Sequence, residues 1–340
     1  MKIAEEFEQV CLTRRPTESY LRKTLSELSE SNGGERLEEV DTERFLLDWL
    51  DRSKSGKSKT TVIRYEGVTR RFLQFLDRDL PIEELTPRHI QQWVDSMKAE
   101  GLAPKSISNN FKILKIAFSE ACRLQILPKN PTVGVEVDRA VSQRRVVFSP
   151  EEIGRLLETT AETEWSITIA LGFFAAMSLA DASGARWEWI HLDAGKITYT
   201  RTKMRRTGKE IVLPIHPELD RRLRAHQGRQ SKGPLTPKLA ATSTSTLDKE
   251  WHRILSAAEI EPIYGKYGVR NLLLNSFHAL RHSVSSHLMN NGVPAEVRML
   301  ITGHEDEKVH AGYSHIRFDT LAASINRIPP IPVEMPTRSA

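Results

Sequence analysis

Apolar residues recur at helical spacing along most of the chain. Between Thr42 and about Leu127 they predict four helices. Phe45, Leu46, Trp49 and Leu50 line the first, and Tyr65, Val68, Phe72 and Phe75 the second. The third opens at Thr86-Pro87, a capping residue followed by proline where its fixed φ suits the first helical position. The fourth begins near Pro104 and carries Ile107, Phe111, Ile113, Leu114, Ile116, Ala117 and Ala121. LPKNP at 127–131 ends the group, since proline cannot continue a helix. Upstream, Phe7, Val10, Leu12, Leu21, Leu25 and Leu28 predict one or two short helices before SNGG at 31–34 breaks the pattern.

Residues 132–147 read as an extended, basic connector. SPEE at 149–152 then opens a new helix, with Ser149 as cap, Pro150 at the first position and Glu152 closing a capping box. A helical stretch to about Ala185 follows. Next come a strand pair, KITYT (196–200) and EIVLPI (210–215), and helices starting near Pro217, Ser245, Ser276 and Pro294. The tail RIPPIPVEMPTRSA is Pro-rich. The expected division is an extension (1–40), a helical domain (41–131), a linker (132–148), a larger domain (149–325) and a tail (326–340). The fold class is mainly α, a helical bundle followed by a mostly helical domain with a small antiparallel sheet.

Composition narrows the function classes. At 340 residues the chain has room for about two domains. No apolar run approaches the roughly 18 residues of a membrane span, and MKIAEEFEQV lacks the basic and apolar regions of a secretory signal. The two cysteines, Cys11 and Cys122, make neither a disulfide framework nor a zinc site, so a cytoplasmic location is expected. The net charge of +5 points weakly to a polyanionic partner. Lys and Arg number 6 against 9 acids in residues 1–40, but 19 against 14 in 41–150 and 24 against 21 beyond, so the excess lies outside the extension.

The chemistry concentrates in the last quarter. HALRHS places His278 three residues before Arg281, and TGHEDEKVHAGYSH places His304 nine residues before Tyr313. Residues i and i+3 of a helix share a face, so His278 and Arg281 can address one phosphate. The guanidinium offers a planar fork, the imidazoles offer donors, and the phenol is a candidate nucleophile. Taken singly each has a plainer reading: H-x-x-R is a common polar helix start, and a lone tyrosine is usually core. His278 and His282 stand at i, i+4, but no Glu follows His278 and no cysteine assists, which argues against zinc.

Together these motifs resemble the tyrosine recombinases of the phage-integrase family, whose pattern is H-x-x-R, then G-H, then a tyrosine about nine residues on. The resemblance spans about residues 42–316. It implies a SAM-like core-binding domain, then a catalytic domain, with double-stranded DNA as partner and no cofactor. It also implies a homo-oligomer, a tetramer on paired sites, and no membrane. Tyr313 is then the nucleophile, with Arg281, His278 and His304 around the phosphate. TRTKMRRTGKEIVLPIHPEL resembles the family's β-hairpin, whose lysine is the general acid; that position is Lys203, with Lys209 the second candidate. Arg201, Arg205 and Arg206 on this hairpin, and Lys54, Lys57, Lys59, Lys105, Lys112 and Lys115 upstream, are candidate DNA contacts, though each lysine singly is an ordinary solvated residue.

One position departs from the pattern. AAMSLADASGARWEWIHLD (175–193) resembles the family's T-G-hydrophobic-R motif and, counted back from Trp187, its arginine falls on Ser178. Serine offers one neutral hydrogen bond in place of a charged fork. By analogy with losing one transition-state donor, the chemical step is expected to slow by about 10²–10³-fold. The implied function is site-specific strand exchange, impaired at Ser178. The alternatives are a DNA-binding relative that has lost strand exchange and a type IB topoisomerase-like enzyme.

Overall fold

The computed structural model describes residues 8, 10, 18–33, 40–77, 80–139, 146–202, 208, 210–227, 231–303 and 318–329. The chain divides into two compact units, one of residues 1–142 with 267–270, the other of residues 143–266 with 271–340.

The first unit is a helical bundle. α1 (Glu18–Ser31) precedes the four helices expected from the apolar pattern: α2 (Thr42–Lys54), α3 (Lys59–Leu76), α4 (Pro87–Ala99) and α5 (Pro104–Arg123). Their starts follow local chemistry. The Ser58 side chain accepts from the Thr61 N–H ahead of α3, and proline stands at the head of α4 and α5. The bundle core is aromatic at its centre: Phe72 meets Trp93 and Phe118 edge-on, with ring centroids 5.3 and 6.0 Å apart. Thr42 closes the entry to α2, its N–H and hydroxyl both donating to the Leu80 carbonyl at 2.9 and 2.6 Å.

The second unit begins at Phe148, fixed at both backbone groups. Its N–H donates to Ser283 Oγ at 2.8 Å, and its carbonyl bonds His287 Nε2 at 3.2 Å. The capping box then forms as expected: Ser149 Oγ accepts from the Glu152 N–H, and Glu152 Oε2 accepts from the Ser149 N–H. The long helical stretch divides into α6 (Pro150–Thr159), α7 (Glu164–Phe174) and the single turn α8 (Leu179–Ser183). The sheet has three antiparallel strands, β1 (Ile190–His191), β2 (Lys196–Thr200) and β3 (Glu210–Pro214), in that order, with Ile197 opposite Leu213 and Tyr199 opposite Ile211. α9 (Pro217–Gln227), α10 (Pro237–Ala240) and α11 (Thr244–Ala257) follow. A second, two-stranded sheet comes next, β4 (Tyr264–Tyr267) with β5 (Arg270–Leu273), and then α12 (His278–Asn290), α13 (Ala295–Thr302) and α14 (Phe318–Ile325).

Two elements differ from the sequence expectation. β1 is only two residues long, too short for an alternating pattern to register. In β4 and β5 the burial pattern never reaches the core, so polarity there resembled a loop. Among the described residues, no helix is long and apolar enough to cross a membrane.

α7 organises this unit. Every residue from Trp165 to Phe174 is buried, and α6, α8, α9, α10 and α12 all pack on it. Gly172 lets α12 come close: a Cβ there would lie 2.6 and 2.8 Å from the Phe277 ring and 3.1 Å from Leu280. That ring cannot swing aside, being held between Trp165 and Trp251 at 6.3 and 5.3 Å. Helix propensity alone favours alanine over glycine by about 1 kcal/mol, whereas overpacking costs about 1–3 kcal/mol. Gly172→Ala is therefore expected to lose up to about 2 kcal/mol in urea denaturation; a gain would show that the ring has room to move.

Candidate active site

The described part of the site is built where α7 ends. Beyond it the backbone turns left-handed at Ala176, φ +50°, which costs a residue with a Cβ about 1–2 kcal/mol. The turn aims the Ala176 carbonyl at Arg281, whose Nη1 donates to it at 2.7 Å. Ser178 then caps α8: its Oγ accepts from the Asp181 N–H at 3.3 Å and donates to Asp181 Oδ2 at 2.7 Å. The other oxygen of Asp181 accepts from the Thr202 N–H at 2.8 Å, just past the end of β2. One carboxylate, 4% exposed, thus joins position 178 to the strand end.

Arg201 differs from its expected place. Rather than standing on an exposed hairpin, it is buried, and it donates from Nη1 to the Gly303 carbonyl at 2.6 Å and from Nη2 to the Thr302 carbonyl at 2.5 Å. These carbonyls close α13, where helix geometry leaves acceptors unpaired and the dipole favours a cation. Both Nη groups of Arg201 are thus taken up by backbone carbonyls. The sequence concealed this because an arginine among basic residues reads as solvated.

Gly303, the glycine of the G-H motif, has a physical role here. It caps α13 in the left-handed conformation, φ +54°, and the Arg201 guanidinium lies where its Cβ would be. Three guanidinium atoms would stand 2.5 Å from that carbon.

Arg281 is buried as well, and burial followed by the nearby Arg201 charge lowers its pKa to about 10; Tyr199 and Asp181 act the other way. It keeps its charge at neutral pH. The Tyr199 hydroxyl is pushed up by burial, partly offset by Arg201, although it forms no hydrogen bond of good geometry. Asp181 and Tyr199 were not singled out from the sequence. The S-x-x-D spacing of 178–181 is a capping signature that would have found the first; Tyr199 carries no signal beyond its inward place on β2.

His278 is the first residue of α12 and is exposed, its ring 4.7 Å from that of His282 in an edge-on arrangement. Arg281, one turn on, faces inward. Lys203, Arg205, Arg206, Lys209, His304 and Tyr313 lie outside the described residues. Arg186, beside Trp187, pairs with Glu188 at 3.1 Å and is taken up on the surface.

In the first unit, Lys105, Lys112 and Lys115 are exposed along α5. Lys112 lines a cavity of about 280 Å³ with Thr60, Thr61, Arg64, Tyr65 and Asn109, so α3 and α5 bring two cations together there. Arg64 was not picked out in the sequence. Lys57 sits over the Tyr65 ring at 5.4 Å, Lys54 pairs with Asp51 at 3.3 Å, and Lys59 opens α3.

Comparison with known proteins agrees with this architecture. Residues 147–319 match the phage integrase family, and residues 44–136 match the phage integrase SAM-like domain. The chain belongs to the phage integrase family. A tyrosine recombinase XerC-like protein of Caldanaerobacter subterraneus subsp. tengcongensis is 23% identical over 310 residues, covering 80% of this chain and 78% of the relative. Tyrosine recombinase XerD of Staphylococcus haemolyticus is 23% identical over 288 residues, covering 82% and 95%. Among solved structures, the lambda integrase tetramer bound to a Holliday junction has a TM-score of 0.64 at 18% identity, covering 89% of this chain and 87% of that one. The integrase of transposon Tn1549 bound to transposon right end DNA has the same score at 17% identity, covering 85% and 99%. The fold is thus the mainly helical one expected, a SAM-like bundle followed by a mostly α-helical domain with small antiparallel sheets.

Gly303→Ala is expected to destabilise the protein by about 2 kcal/mol or more, from left-handed strain together with displacement of Arg201. Most of the second part should vanish when the change is made in an Arg201→Met background. Additive losses in that double-mutant cycle, read by urea denaturation, would separate the two residues.

Proposed function

We propose that this protein is a site-specific DNA strand transferase working through a 3′-phosphotyrosyl link. The observation that carries the reading is the family match over residues 147–319, the segment that holds Tyr313, Arg281, His278, His304 and Lys203. The Tyr313 oxygen attacks the scissile phosphorus in line, and its proton passes to a base, for which His278 is the candidate. The bond to the 5′ oxygen breaks, and Lys203 protonates that oxygen, leaving a free 5′-hydroxyl. Arg281, His278 and His304 stabilise the pentacovalent phosphate. A 5′-hydroxyl from a partner strand then attacks the phosphotyrosine and releases Tyr313. The covalent link conserves the energy of the broken bond, so the sequence of steps needs neither ATP nor a metal.

DNA enters as duplex recombination sites, paired within a homotetramer, in the cytoplasm. The lambda integrase tetramer, similar in fold, is bound to a Holliday junction and supports that assembly. Lys54, Lys57, Lys59, Lys105, Lys112 and Lys115 contribute phosphate contacts from the first unit, and Arg205 and Arg206 from the hairpin. Lys112→Ala should weaken DNA binding similarly for all sequences and reduce the salt slope of the binding constant by about 1. A change confined to one sequence would place Lys112 against a base instead.

A second reading rests on Ser178. Its hydroxyl is committed to Asp181, so position 178 offers a phosphate no charge. On that ground the protein would be a DNA-binding relative without strand exchange. Trapping on nicked duplexes drawn from DNA flanking the gene decides between them. A covalent adduct that vanishes in Tyr313→Phe is expected. Specific binding to those duplexes without any adduct would favour the second reading and sink the assignment of Tyr313.

A further inference from the structure

Among the described residues, the buried groups around Asp181 do not balance in charge. Arg201 and Arg281 are 7% and 5% exposed, and among the described residues neither is ion-paired; their hydrogen bonds go to the Gly303, Thr302 and Ala176 carbonyls. Among the described residues Asp181 is the one acid whose charge reaches Arg281, and both its oxygens take neutral donors, the Ser178 hydroxyl and the Thr202 N–H. Nε of Arg201, Nε of Arg281 and the Tyr199 hydroxyl have no hydrogen-bond partner of good geometry among the described residues. Among those residues two buried guanidinium ions stand against one carboxylate. An excess buried charge costs several kcal/mol unless an anion meets it.

Position matters as much as sign. Ser178 bonds Asp181, and the charges of Asp181 and Arg201 both act on Arg281 and on Tyr199, so position 178 and the two arginines border one buried cluster. We propose that Arg201 is the second cation of the phosphate site, supplying from the end of β2 the charge that position 178 lacks. The inference rests on the strand-transfer reading for the identity of its anion, a phosphodiester. It does not rest on that reading for the existence of an anion site. It also gives Ser178 a reason: a third guanidinium beside Arg201 and Arg281 would add repulsion to a pocket already short of negative charge.

The test compares the full chain with Arg201→Gln, which keeps an N–H donor and removes the charge, and with Ser178→Arg/Arg201→Gln. The first readout is the thermal midpoint against inorganic phosphate at constant ionic strength. Phosphate should raise the midpoint of the parent, and Arg201→Gln should lose most of that response. The second is the rate of adduct formation on nicked duplexes carrying either a normal or a methylphosphonate linkage at the cleavage point. Arg201→Gln should be slower by about 10²-fold or more on the charged linkage, and by less than tenfold on the neutral one. The double variant should regain at least tenfold on the charged linkage.

An undiminished phosphate response in Arg201→Gln, or equal losses on the two linkages, would reduce Arg201 to a staple for α13 and overturn the proposal. A parent that forms no adduct, yet loses its phosphate response in Arg201→Gln, would end the strand-transfer reading and leave the cation assignment standing. Should Arg201→Gln fail to fold, Arg201→Lys retains the charge: a preserved phosphate response supports the proposal, and its loss overturns it.

Discussion

A helix that is apolar on every side must be enclosed, and α7 imposes that demand on the second unit. No face from Trp165 to Phe174 tolerates water, so neighbouring helices surround it and the chain can leave only at the ends. The site lies at the C-terminal end. There the backbone turns at Ala176, and the groups that follow are set against a scaffold with no freedom to shift. The close approach of α12 at Gly172 has the same origin, because a wider gap would leave the centre of the unit under-packed. Precise placement of Arg281 is thus a packing result first and an electrostatic one second.

The electrostatics follow from where the backbone ends fall. Helix and strand termini carry unpaired carbonyls and N–H groups, and here they converge: the turn after α7, the start of α8, the end of β2 and the end of α13. Ser178 Oγ satisfies the Asp181 N–H at the start of α8, the Asp181 carboxylate satisfies the Thr202 N–H past the end of β2, and the two arginines satisfy carbonyls at the others. Backbone groups absorb the hydrogen-bonding capacity of charged side chains without cancelling their charge. Among the described residues the result is a buried cluster of two guanidinium groups and one carboxylate, the kind of environment in which preorganised charge acts most strongly on a phosphate.

Much of this was legible in the sequence. Thr86-Pro87, Pro104 and SPEE marked helix starts because capping chemistry is local, and the apolar spacing outlined the bundle before any tertiary contact was known. H-x-x-R pointed to Arg281, which the structure buries against the turn after α7. What stayed hidden was long-range or of mixed character. Arg201 looked like hairpin decoration, because nothing within ten residues reveals that the end of α13 lies against it. Ala176 gave no hint of a left-handed turn, since alanine rarely takes one. β1 was too short to show a period, and β4–β5 stay too exposed to show an apolar face.

The carboxylate of Asp181 has a consequence for how relatives of this chain are compared. It is bonded by positions 178 and 202, 24 residues apart in sequence. What is constrained is then the charge of a location and not the identity of one column in an alignment. On the proposal that Arg201 supplies this charge, substitutions at 178 and 201 become exchangeable in pairs, and lineages can pass from one arrangement to the other through intermediates carrying both cations or neither. A missing arginine in a motif is, on this view, a reason to look across the nearest buried acid before counting a member of the family as silent.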